Sequence, residues 1–105
     1  MAYEADFETR FQALAAPTRR AIFEKLSHGP SSVGDLAAGM PVSRPAVSQH
    51  LKALKAAGLV SEVRRGTARI YSVDPRAVAD LRDYFDRFWD VALGAYQRSL
   101  EGGDA

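Results

Sequence analysis

The sequence predicts a mainly α fold: five helices and one two-stranded β-hairpin. Three observations predict it. Apolar residues recur at helical spacing along most of the 105-residue chain. That period breaks once, over 60–73, where β-rich residues flank Gly66-Thr67. Proline, serine and glycine stand where helices would begin and end. The length fits one domain spanning 1–105.

The first helix reads from about Glu4 to Ala16, with Phe7, Phe11, Leu14 and Ala15 on one apolar stripe. Pro17 ends it and opens a second helix, which turns Ala21, Ile22 and Leu26 inward and stops at Ser27-His28-Gly29-Pro30. Ser32 then caps a short third helix, with Asp35 three residues on, and Gly39 closes it. Ser43 caps a fourth helix, tolerating Pro45 in its first turn, that runs to about Ala57 before Gly58. The strands are 60–65 and 68–73. An isolated hairpin is marginal, so this one must lean on the helices. Asp74-Pro75 opens a long last helix to about Leu100, and Gly102-Gly103-Asp104-Ala105 should fray.

Composition excludes several functions. No apolar run approaches the ~18 residues of a membrane helix. The acidic start Met1-Ala2-Tyr3-Glu4-Ala5-Asp6 lacks an apolar signal segment, so secretion is not expected. There are no cysteines, hence no disulfide or thiolate metal site, and the two histidines do not suffice for a histidine-rich site. No Gly-rich phosphate loop is present, and Ser48 and His50 diverge on a helix, so no enzyme and no cofactor is expected.

Net charge is only +1, but it is unevenly spread. Between Pro41 and Val73 stand six bases (Arg44, Lys52, Lys55, Arg64, Arg65, Arg69) against one acid, Glu62. Such a segment offers a surface to a polyanion; a solvated charged face is the competing reading.

Order along the chain favours the polyanion. Two short helices joined by a turn, over about 33–57, and a basic hairpin over 60–73 make a winged helix-turn-helix. On the fourth helix Val47, Leu51 and Leu54 fall within about 60° and face the core. Pro45, Ser48, Gln49 and Lys52 lie opposite, flanked by Arg44 and Lys55. Such a face suits a major groove. Arg44 and Gln49 would address base edges, Ser48 a base or a phosphate, and Lys52 and Lys55 the backbone. Arg64, Arg65, Thr67 and Arg69 around the hairpin turn would reach a minor groove or its phosphate walls.

The stretches Leu14-Ala15-Ala16-Pro17-Thr18-Arg19-Arg20, Val42 to Leu54, Ala57-Gly58-Leu59-Val60 and Arg64 to Tyr71 resemble the ArsR/SmtB family of bacterial repressors. The resemblance spans roughly 7–100. It implies a cytoplasmic homodimer that represses by occupying an imperfect palindrome in promoter DNA. Family contacts carry over to Arg44, Ser48 and Gln49 on the reading helix and to Arg65 on the wing.

Departures from the family bear on regulation. Many relatives sense metals through cysteines near the third helix, where this chain has Ser31-Ser32-Val33-Gly34-Asp35-Leu36. Others bind zinc between the final helices with Asp and His. Here the last helix has Asp80, Asp83, Asp86 and Asp90 but no histidine. A solvated stripe paired with Arg82 and Arg87 is the preferred reading, and no metal site is expected. His50 would make a DNA or structural hydrogen bond, and His28 would cap the second helix's dipole.

The last helix, 75–100, spaces Val78, Leu81, Phe85, Phe88, Ala92 and Ala95 as a 3-4 seam widened by Tyr84, Trp89 and Tyr96. Ordinary core packing is one reading and an aromatic pocket for a small-molecule effector another. The preferred reading is a dimer interface of Phe7, Phe11, Leu81, Phe85, Phe88, Trp89, Ala92 and Tyr96. A dimeric, sequence-specific DNA-binding regulator of double-stranded promoter DNA leads. The alternative is a winged-helix module that uses its basic face on an acidic protein.

Overall fold

The computed structural model describes residues 2–102, with five helices and a three-stranded antiparallel sheet. Helix α1 (Ala2–Ala15) begins earlier than Glu4 and ends one residue before Ala16. Ala16 is extended, at ψ 122°, because the ring of Pro17 excludes the helical region for the residue before it. One residue thus separates α1 from α2 (Pro17–Leu26). Arg20 Nη1 donates to the orphan carbonyl of Leu14 at 2.9 Å, closing the end of α1.

The hairpin is not alone. Ser31–Ser32 form a short strand, β1, that pairs antiparallel with β3 (Ala68–Val73), which also pairs with β2 (Val60–Arg65). The sheet order is β1-β3-β2, so the two-stranded expectation is corrected to three. A pair of serines carries no alternating apolar signal, and its pairing depends on Ile70 and Tyr71 far along the chain. Ser32 also caps α3 (Val33–Ala38): its Oγ accepts from the Asp35 N–H at 3.1 Å. One serine therefore ties the wing's sheet to the helix-turn-helix.

Helix α4 (Arg44–Ala56) is defined at both ends by local chemistry. Ser43 Oγ accepts from the Ala46 N–H at 3.3 Å. At the other end Gly58 has φ +77°, a conformation a side chain disfavours. The Gly58 N–H then reaches the Lys55 carbonyl at 2.9 Å and the Leu59 N–H the Leu54 carbonyl at 3.0 Å, a Schellman closure. Leu59, the residue after the turn, is fully buried.

The core lies between α2, α4 and the base of the sheet. Ile22, Val47, Leu51, Leu54 and Leu59 are wholly inaccessible, and Leu26, Leu36, Val60 and Tyr71 surround them. Each large aliphatic chain buried this way contributes about 1.5–3 kcal/mol against leaving it in water.

Helix α5 (Pro75–Gly102) behaves differently. Asp74 Oδ1 accepts from the Arg76 N–H at 3.0 Å, which starts the helix. It continues through Gly102, past the expected end, while Gly103, Asp104 and Ala105 lie outside the described residues. Only Ala77 is fully buried, with Leu81 packed partly against the core. Twenty-eight residues make a rod of about 42 Å. The radius of gyration is 17.9 Å, where a compact domain of this length would give about 13 Å. The excess is α5 running past the body it grows from.

Candidate nucleic-acid interface

Helix α4 presents two unlike faces. Val47, Leu51 and Leu54 are at zero exposure, while Arg44, Pro45, Ser48, Gln49, Lys52 and Lys55 are all exposed. The helical period produces this division directly. His50 sits at the margin, half-buried. Arg44 folds back over the start of α3, where a Cβ at Gly34 would lie 3.0 Å from its Nη2. A Cβ at 34 would be a tight contact that the flexible Arg44 guanidinium relieves by a shift of a few tenths of an ångström.

The wing residues Arg64, Arg65, Thr67 and Arg69 are exposed. Gly66 opens the loop at φ +64°. The register Arg64↔Arg69 and Glu62↔Tyr71 puts Glu62, Arg64 and Arg69 on one face of the hairpin. Arg65 is on the other face, with Val63 and Ile70. The arginines that are one cluster in the sequence are thus divided between two surfaces.

Glu62 was not among the residues expected at this surface, and it is central to it. Its Oε1 accepts from Lys55 Nζ at 2.6 Å, and its Oε2 lies 3.6 Å from Arg69 Nε. The Lys55 hydrogen bond holds the carboxyl below the usual glutamate range against the opposing effect of desolvation, and the charges of Lys55, Arg69 and Arg64 add to it. The available signal was its standing as the single acid of a basic segment.

The residues expected at a dimer interface lie along one side of α1 and α5. Phe7 meets Tyr84 with ring centroids 4.0 Å apart, and Phe11 meets Phe85 at 5.9 Å. Beyond these contacts Phe88, Trp89 and Tyr96 are each more than 60% exposed, and Ala92 is exposed beside them. Leu81 belongs partly to the protomer's own core. An open apolar groove of about 440 Å³ lies between the helices, lined by Phe11, Leu14, Ala15, Leu81 and Phe85 with Arg20 at its edge. Trp89, which widens the aromatic seam, does not line it.

Of the aspartates of α5, Asp83, Asp86 and Asp90 are exposed as a solvated stripe requires, and Asp80 departs from it. Asp80 is held by Arg10 of α1, Nη1 to Oδ2 at 2.8 Å, a partner the sequence reading missed. Asp86 pairs with Arg82 at 3.7 Å, and Asp83 and Asp90 face solvent. Among the described residues no three His, Cys, Asp or Glu side chains are grouped to hold a metal ion. His28 is exposed in the turn after α2. No helix among the described residues is long and apolar enough to cross a membrane.

Comparison with known proteins agrees with this geometry. The family described as "Bacterial regulatory protein, arsR family" matches residues 16–62, from the start of α2 into β2. The HTH-type transcriptional regulator Rv2034 of Mycobacterium tuberculosis is 56% identical over 96 residues, covering 90% of each chain. The transcriptional repressor SdpR of Bacillus subtilis is 37% identical over 70 residues, 67% of this chain and 78% of that one. An ArsR-like transcriptional regulator from Rhodococcus sp. RHA1 superposes with a TM-score of 0.79 at 32% identity, covering 93% of this chain and 95% of that one. Regulators of this family bind DNA, typically as dimers. The chain belongs to the ArsR family of winged helix-turn-helix transcriptional regulators, and is a DNA-binding protein rather than an enzyme.

Proposed function

We propose that this protein is a cytoplasmic homodimeric repressor, folded as a single domain, that occupies a two-fold-related site in promoter DNA and does not respond to metals. One observation carries the reading: the outward face of α4 gathers Arg44, Ser48, Gln49, Lys52 and Lys55 while the opposite face is wholly buried. That helix enters the major groove. Arg44 and Gln49 meet base edges, and Ser48 a base or phosphate. Pro45 and His50 pack at the margins of the contact. Lys52, Lys55 and the wing residues Arg64, Arg65, Thr67 and Arg69 follow the backbone. Pairing of α1 and α5 with those of a second copy sets two reading helices about 34 Å apart, one turn of DNA. An apolar effector, where one acts, has the groove beside Phe11 and Phe85 available to it.

The test separates the DNA-facing residues by kind. Lys52→Ala and Arg65→Ala should weaken binding to all duplexes alike and flatten the salt dependence by about 0.9 for each phosphate no longer neutralised. Gln49→Ala and Arg44→Ala should cost roughly 1–3 kcal/mol of discrimination at particular base pairs. Wild-type specificity in both of the latter variants, on a base-substitution series, would show that α4 reads no bases. Binding that falls with salt but shows no sequence preference would favour an acidic protein as the partner instead.

A further inference from the structure

Glu62 is the single acid among six bases over 41–73, and the fold brings it to two of them at once. It bridges separate elements: Lys55 comes from α4 and Arg69 from β3. The bridge is asymmetric in its access to water. The Glu62 side chain is 21% exposed, against 52% for Lys55 and 57% for Arg69. Both cations can therefore be reached from outside while the carboxylate stays behind them. By contrast Lys52 and Arg65 have no carboxylate within ion-pair distance among the described residues.

We propose that Glu62 is a specificity-determining residue, an internal anion that keeps Lys55 and Arg69 from the DNA backbone until the reading helix is seated on its own site. The proposal rests on the DNA-facing assignment of α4 and the wing made above. Sequence-independent binding comes almost entirely from cations neutralising phosphates and releasing their counterions. A cation already paired with a carboxylate adds little to that release. In the seated complex, base contacts from Arg44, Ser48 and Gln49 hold the neighbouring phosphates against Lys55 and Arg69 at high effective concentration. Exchange of carboxylate for phosphate is then favourable. Glu62 thus weakens binding to random sequence more than binding to the cognate site.

Glu62 also stands next to a like-charge pair, Arg64 opposite Arg69 on the same face of the hairpin, which it helps to neutralise. A purely structural role would make its loss lower the stability of the wing and weaken binding to every duplex. The test has to move in the opposite direction.

Glu62→Gln keeps the shape and an accepting oxygen but removes the charge. Full-length wild type and variant are titrated with two duplexes of equal length and composition. One is the duplex that the wild-type protein selects from a randomised pool, and the other is its scrambled counterpart. Between about 50 and 200 mM salt, the variant's slope on scrambled DNA should steepen by about 1–2 units, at ~0.9 per phosphate newly neutralised. Affinity for the scrambled duplex should rise several-fold at the low-salt end, and affinity for the selected duplex should rise less. An unchanged slope, weaker binding to both duplexes, or an equal gain on both would overturn the proposal. Lys52→Ala and Arg65→Ala, in a wild-type background, separate the two levels. If neither flattens the slope, the DNA face itself is misplaced and both readings fall. If both flatten it and Glu62→Gln does not steepen it, the role of Glu62 alone is refuted.

Discussion

Arg10 Nη1 and Asp80 Oδ2 lie 2.8 Å apart and join α1 to α5 across seventy residues of chain. The same guanidinium donates through Nε to the Ala57 carbonyl at 3.2 Å, at the end of the reading helix. It also packs on Gly58, where a Cβ would approach its Nη2 to 3.3 Å. One side chain of α1, 17% exposed, thus holds α5 and the residues that close α4. The side chain stands in direct contact between the surface proposed for dimerisation and the surface proposed for DNA.

Arg10→Ala should therefore destabilise the fold by about 1–2 kcal/mol, because the Ala57 carbonyl loses its donor and the packing of the Arg10 stem goes with it. Asp80→Asn should cost less, because Asp80 is 43% exposed and solvent screens its pair. Urea unfolding measures both. Equal losses in the two variants would mean that the Ala57 hydrogen bond contributes nothing.

The two partners of Arg10 also mark the limit of what the sequence reveals. Helix ends were legible because Pro17, Ser32, Ser43, Gly58 and Asp74 act on residues within four positions of themselves. The buried face of α4 was legible because its period is that of the helix. Strand β1 and the Arg10–Asp80 pair were not, since each is defined by a partner at least 38 residues away. Register likewise decides that Arg64 and Arg69 share a face with Glu62 while Arg65 does not. The seam of α5 was visible as a 3-4 repeat. Only the fold divides Tyr84 and Phe85, which meet α1 of their own chain, from Phe88 and Trp89, which meet nothing of it in the described ring contacts.

That division yields a prediction about assembly. Phe88 is 64% exposed in the protomer, so Phe88→Asp should be nearly neutral for a protein that works as a monomer. In a dimer paired through α5 it would bury a carboxylate without a partner, at a cost of several kcal/mol. Sedimentation at micromolar concentration should show the wild type as a dimer and the variant at half that mass, or unfolded. A well-folded wild-type monomer would refute the pairing.

Two carboxylates make stability depend on acid. Hydrogen bonds from the Arg76 side chain and its backbone N–H hold the Asp74 carboxyl below its ordinary range, and Lys55 does the same for Glu62. Lowered values mean that the charged form is favoured by folding. Their contribution is therefore complete above the ordinary carboxylate range and disappears as pH falls through the lowered values. Asp74→Asn removes one of the two and loosens the start of α5. Its urea midpoint should fall at neutral pH and should decline less steeply on acidification than that of wild type. Parallel curves from pH 6 downward would show that Asp74 contributes no linked stability.

Metal should not release this protein from DNA. A thiolate sensor requires cysteine, and the sequence has none. A zinc site between terminal helices requires neutral imidazoles or free carboxylates, usually four ligands in a tetrahedron. The carboxylates of α5 are differently placed: Asp80 is engaged by Arg10 and Asp86 by Arg82, and the exposed aromatic side that would meet a second α5 is apolar. The histidines stand on different elements, His28 after α2 and His50 within α4. At Asp80 or Asp86 a metal ion would share its carboxylate with a guanidinium, at Asp83 or Asp90 it would meet one exposed carboxylate, and a single carboxylate binds zinc too weakly to hold it. Zinc, nickel, copper and arsenite titrated at physiological concentrations against a preformed complex with the selected duplex should leave the DNA bound. Release by any one of them, reversed by a chelator or a competing thiol, would overturn this and would place ligands where the protomer alone has none grouped among its described residues.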